Sequence, residues 1–113
     1  MIKIYHNPRC RKSRETLEII RQAGHEPQII EYLQNPPSET ELKDMLEKMG
    51  KKPEEIIRKG EDIFKTNFKG KSLSDDEWIT VLVENPKLIE RPVVVNGEKV
   101  TLGRPPENVK LIL

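Results

Sequence analysis

The stretch "IKIYHNPRCRKSRETLEII", residues 2–20, changes its hydrophobic period halfway along. Residues 2–5 are short, β-branched and alternating, as a strand requires. Asn7-Pro8 is a turn dipeptide. Beyond it Ser13, Leu17, Ile20 and Gly24 fall on one helical face, with Gly24 as the stop signal. A strand thus feeds a helix through a short loop, and Cys10 sits where that helix begins. "PQIIEYL" (27–33) reads as a second strand. Strand–helix–strand connections of this length favour a parallel pair with a right-handed crossover.

Farther along, "PPSETELKDMLEKMG" carries a capping box, Ser38 to Glu41, with Leu42, Met45, Leu46 and Met49 at helical spacing and Gly50 closing the helix. "KPEEIIRKG" predicts a short helix with Pro53 in its first turn and Arg58 and Lys59 near its end. A second capping box, Ser74 to Glu77, opens "DDEWITVLVEN", which Pro86 ends. "RPVVVNGEKVTL" gives two strands joined by Asn96-Gly97, a strong hairpin signal. "RPPENVKLIL" predicts a closing helix. The expected fold is α/β: a thioredoxin/glutaredoxin-like core with a mixed four-stranded sheet, interrupted by a helical insertion. In a single domain spanning residues 1–113, the core comprises 1–34 and 87–113, and the insertion 35–86.

Lysine plus arginine (20) nearly balances aspartate plus glutamate (19), so no global field argues for nucleic acid or membrane partners. No apolar run approaches a membrane span and no signal-peptide core opens the chain; a soluble cytoplasmic protein is expected. One cysteine excludes an intramolecular disulfide and a multi-cysteine zinc site. With two histidines, a His/Cys metal centre falls short of the usual four ligands, so no metal is expected.

Cys10 is flanked by His6, Arg9, Arg11, Lys12 and Arg14. A helix start offers partial positive charge and unpaired N–H groups, and neighbouring cations add to it; both favour thiolate over thiol. Inert buried sulfurs prefer apolar neighbours, so the surroundings point to a reacting group. Ser13, one turn on, and His6 are candidates to tune the sulfur. The same helix end suits a phosphate-like oxyanion. Arg58, Arg91 and Arg104 lie at chain turning points, the last two held extended by the prolines that follow them. Taken singly, each reads more readily as a solvated surface cation, which is what most arginines are.

Together, "HNPRCRKSRETL", "YLQNPPS", "LIERPVVVNG" and "LGRPPE" resemble the glutaredoxin-dependent arsenate reductase family (ArsC-like, short HNPRC-type members) over nearly the whole chain. The resemblance implies that Cys10 is the nucleophile and that Arg58, Arg91 and Arg104 bind the oxyanion. It makes His6 and Ser13 the thiolate-tuning residues and Pro92 a cis-proline facing the cysteine loop. It further implies no bound cofactor, glutathione as co-substrate and glutaredoxin as partner: arsenate is reduced to arsenite through a Cys10–glutathione disulfide. Spx-type regulators, which bind RNA polymerase, share the fold; they usually carry C-x-x-C at this loop, where Ser13 stands here. A thiol- or oxyanion-binding module without turnover is the third reading.

Overall fold

In the computed structural model, which describes residues 1–113, β1 (Ile2–His6) takes an inner position in a mixed four-stranded sheet of order β2-β1-β3-β4. β2 (Gln28–Glu31) runs parallel to β1, with Ile4 opposite Ile29. β3 (Val93–Asn96) lies antiparallel on the other side, with Ile4 opposite Val94. β4 (Lys99–Leu102) completes the hairpin, whose turn uses Gly97 at φ 63°. Only glycine holds that left-handed backbone without steric cost, which is why Asn-Gly forecasts the turn. The expected mixed sheet is present.

Contacts divide the chain into two compact units, residues Met1–Asn35 with Arg91–Leu113, and residues Pro36–Glu90. In the first, α1 (Arg11–Gln22) buries Ser13, Thr16, Leu17 and Ile20. Leu17 and Ile20 meet Ile2, Ile4 and Val94 of the sheet, together with Val109 and Ile112 from the C-terminal segment. Ile4, Ile20, Val94 and Val109 are completely buried. Full burial of such a side chain contributes about 1.5–3 kcal/mol, an upper bound because real unfolded chains are partly compact.

The closing helix is a 3₁₀ helix, Pro106–Ile112, rather than an α-helix. Its buried residues, Pro106, Val109 and Ile112, recur every third position. That spacing forms one stripe at three residues per turn and drifts at 3.6.

In the second unit both capping boxes form. Ser38 Oγ accepts from the Glu41 N–H at 3.1 Å ahead of α2 (Glu39–Met49), and Ser74 Oγ accepts from the Glu77 N–H at 3.2 Å ahead of α4 (Asp75–Glu84). The helix expected over "KPEEIIRKG" is corrected to a single 3₁₀ turn, Pro53–Ile56. Ile57 leaves it to bridge Ile89, the Arg58 N–H donates to the Leu88 carbonyl at 2.7 Å, and the Glu90 N–H donates to Ile56 at 2.8 Å. Arg58 therefore lies outside the helical turn, at the centre of a tight turn in which the Lys59 N–H donates to the Ile57 carbonyl at 3.1 Å. Between them, α3 (Asp62–Asn67) has no counterpart among the sequence expectations. Its Phe64 stacks on Trp78 with ring centroids 6.2 Å apart, and Phe68 lies 6.5 Å from Phe64. No helix is long and apolar enough to cross a membrane.

Gly103 carries a packing constraint with no sequence signal beyond its identity. A Cβ there would lie 2.5 Å from Thr16 Oγ1 and 2.9 Å from Pro92 Cγ. The backbone is drawn just as close, the Gly103 N–H donating to the Pro92 carbonyl at 2.9 Å. Gly103→Ala is expected to lower stability by about 1–3 kcal/mol, the usual range for overpacking. Adding Thr16→Ala, which removes two of the clashing atoms, should recover part of that loss. Urea midpoints for both single variants and the pair measure it; strictly additive losses would exclude the close approach as the cause.

Candidate active site

The sheet register gathers three loops at one end. Tyr5 pairs with Val93, and Val93 with Leu102. The residues that continue past these positions are His6–Asn7, Arg91–Pro92 and Gly103–Arg104. The cysteine loop and two of the candidate arginines therefore leave the sheet side by side. The peptide bonds Arg91–Pro92 and Arg104–Pro105 are both cis.

Cys10 is the N-cap of α1, half-buried, with φ −91° and ψ 121°. Its carbonyl accepts the Arg14 N–H at 3.0 Å. The preceding N–H groups of the first turn have no intrahelical acceptor, which leaves donors beside the sulfur. Asn7 shapes the loop: its carbonyl accepts the Cys10 N–H at 3.0 Å and its Oδ1 accepts the Arg9 N–H at 3.0 Å. In the sequence Asn7 reads only as half of a turn dipeptide. An asparagine two residues before a loop amide is nevertheless the Asx-turn pattern that could have revealed it.

Ser13 is completely buried, and its hydroxyl accepts the Asn7 N–H at 3.1 Å. His6 Nδ1 lies 2.6 Å from the same oxygen. Since a hydroxyl has one proton and two acceptor sites, the histidine tautomer decides which partner donates in that second bond. The structure thus brings His6 and Ser13 together. It ties them to each other and to the loop backbone, with no hydrogen bond from either to the sulfur.

The three arginines differ. Arg91 is partly buried, and its Nε and Nη1 are shielded from solvent without a hydrogen-bond partner. Arg104 Nη1 donates to the Arg91 carbonyl at 3.1 Å, fastening one loop to the other. In the Pro36–Glu90 unit, Arg58 is engaged by carboxylates: Nη1 pairs with Glu61, and Nε lies 3.4 Å from Glu90 Oε1. Neither acid was singled out from the sequence. Glu61 at i+3 was accessible to such reasoning, whereas Glu90 reaches Arg58 only through the fold.

Burial holds the His6 imidazole below its ordinary value of 6.5; Glu31 opposes the shift, while Arg21 and Arg14 reinforce it. A base whose folded pKa is depressed favours folding most when neutral. Its contribution is complete above about 6.5 and is lost as pH falls through the lowered folded value. Urea midpoints of the wild-type protein should therefore decline between pH 7 and 5.5 more steeply than those of His6→Asn, whose amide can occupy the Nδ1 position without titrating. Parallel slopes would show that His6 does not carry this dependence.

The ArsC family profile matches residues 5–112. The chain is 46% identical to the uncharacterized protein YfgD of Escherichia coli K12, over 96% of this chain and 92% of that protein. It is 42% identical to the arsenate reductase of Haemophilus influenzae, over 97% of each. Among solved structures, the arsenate reductase from Vibrio cholerae superposes with a TM-score of 0.94 at 45% identity, covering 99% of this chain and 97% of that one. With nearly every residue matched, and with a cysteine at the head of α1 and two arginines beside its loop, this chain belongs to the ArsC family.

Proposed function

We propose that this protein, in the cytoplasm, reduces arsenate to arsenite, with Cys10 as nucleophile and glutathione and glutaredoxin as its thiol partners. The observation that carries this reading is Arg91. Two of its guanidinium nitrogens are buried and unpaired at the end of the sheet that carries the cysteine loop. A guanidinium nitrogen shielded from water without an acceptor is unfavourable, and an anion that supplies the acceptor relieves that cost. A tetrahedral oxyanion offers the paired oxygens that a guanidinium fork binds best. The names of the relatives support arsenate as that anion.

On this reading the Cys10 thiolate attacks arsenic and an arsenate oxygen leaves as water, giving a covalent arsenic–sulfur adduct. Glutathione then supplies the second thiol. Overall, two thiols lose two electrons and two protons to arsenate, yielding a Cys10–glutathione disulfide, arsenite and water. Glutaredoxin removes the glutathionyl group by thiol–disulfide exchange. The chain has no second cysteine, so the resolving thiol has to come from outside. Arg91 and Arg104 stabilise the oxyanion as charge builds on its oxygens. Arg58 is proposed for the same task; because Glu61 and Glu90 already engage its guanidinium, anion binding there exchanges one acceptor for another. His6 and Ser13 act by holding the loop.

NADPH oxidation coupled through glutathione reductase, glutaredoxin and glutathione should depend on arsenate. Mass spectrometry of protein incubated with arsenate and glutathione should find one glutathione adduct, on Cys10. Cys10→Ser should show neither adduct nor turnover; sustained turnover in that variant, or turnover without an external thiol, would overturn the mechanism. Arg91→Lys keeps the charge but loses the planar fork. It should reduce kcat/KM for arsenate by roughly ten- to a hundredfold, the value of one charge-assisted hydrogen bond. An unchanged kcat/KM would remove Arg91 from the anion site.

A further inference from the structure

We infer that Arg9 and Lys12 make Cys10 selective for anionic thiols and disulfides over neutral and cationic ones. Arg9, Arg11, Lys12 and Arg14 crowd about the cysteine in sequence, and all are exposed. Two are committed. Arg11 Nε pairs with Glu15 at 2.7 Å, and Arg14 Nη1 donates to the Pro8 carbonyl at 3.0 Å. The next acid along α1, Glu18, accepts from Gln22 at 3.3 Å. Arg9 and Lys12, the residues on either side of the Cys10–Arg11 pair, have side chains without a partner, so their charge is left for an incoming molecule.

The backbone that carries them is fixed. The Arg9 N–H is held by Asn7 Oδ1 at 3.0 Å, and the Lys12 carbonyl accepts Thr16 Oγ1 at 2.8 Å. Any thiol that resolves Cys10 comes from another molecule, since the chain has no other cysteine, and Arg9 and Lys12 are exposed one and two residues from that cysteine. Charge on that molecule then acts on the rate of encounter. Carboxylates are drawn in and ammonium groups repelled, with a strength that falls as salt rises. With Cys10 as the reacting group, as proposed above, Arg9 and Lys12 are specificity-determining residues that need not touch arsenic.

The test omits arsenate. Cys10 thiolate attacks a symmetrical disulfide, forms a mixed disulfide and expels one thiolate; the second-order rate is followed by mass spectrometry. Three probes are used: oxidised glutathione (net anionic), bis(2-hydroxyethyl) disulfide (neutral) and cystamine (cationic). Each rate is divided into that of Arg9→Gln/Lys12→Gln, which cancels differences in leaving group. Exposed charge interactions suggest a change of about two- to fivefold per cation. The double variant should therefore react more slowly with oxidised glutathione, equally with the neutral probe and faster with cystamine. At 1 M salt, where screening acts beyond about 3 Å, all three ratios should approach one. An equal change for all three probes would mean that the cations act on the sulfur itself, and that result overturns the inference, as does no change. Absence of arsenate-dependent turnover by the wild-type protein in the coupled assay, with this ordering intact, would sink the arsenate reading alone.

Discussion

The Ser13 hydroxyl joins the end of β1 to the first turn of α1, and the placement of Cys10 follows from it. The oxygen is wholly enclosed, so each of its bonds has to be made inside the protein. One comes from the Asn7 amide and one is shared with His6, both on the strand side. Asn7 in turn holds the amides of Arg9 and Cys10. The loop is thereby specified by a short chain of polar groups rather than by apolar contact. A satisfied polar network of this kind gives one geometry, whereas an apolar filling would tolerate several.

Arg91 and Arg58 show two ways in which a fold treats a cation. Arg58 has its counter-charges supplied locally, by a neighbour in sequence and by Glu90. Arg91 has none at its Nε and Nη1. The first arrangement is electrostatically complete without a ligand. The second gains most from an anion, because the desolvation of the guanidinium has already been incurred on folding.

Much of this was legible in the sequence, for local reasons. Both capping boxes, the Asn96-Gly97 hairpin and the strand–loop–helix of residues 2–20 are set by short-range chemistry, and each took the expected form. What escaped depends on contacts distant in sequence or on very short elements. α3 has six residues and no side-chain cap, so neither periodicity nor a start signal marks it. The turn before Arg58 was cut short by a bridge to Ile89, a partner that local pattern cannot supply. At the site, the residue types were readable but their wiring was not. The expectation that Ser13 reaches toward sulfur rested on helical spacing, and that spacing fits equally well the bonds it makes to His6 and Asn7. The constraint at Gly103 comes from Thr16 and Pro92, which are distant from it in sequence and packed against it in the fold.

The aromatic residues are segregated between the two units. Phe64, Phe68 and Trp78 cluster within residues 36–90, while Tyr5 and Tyr32, both buried, belong to the unit that carries Cys10. The chain has one tryptophan. Indole emission excited at the red edge of its absorption is therefore a local optical probe of the helical unit, blind to the sheet. Tyrosine absorbance, separated from that of indole in second-derivative spectra, reports on the other. Unfolding curves from the two chromophores coincide only if the units melt together, so the placement of five rings gives a direct spectroscopic measure of cooperativity across the chain.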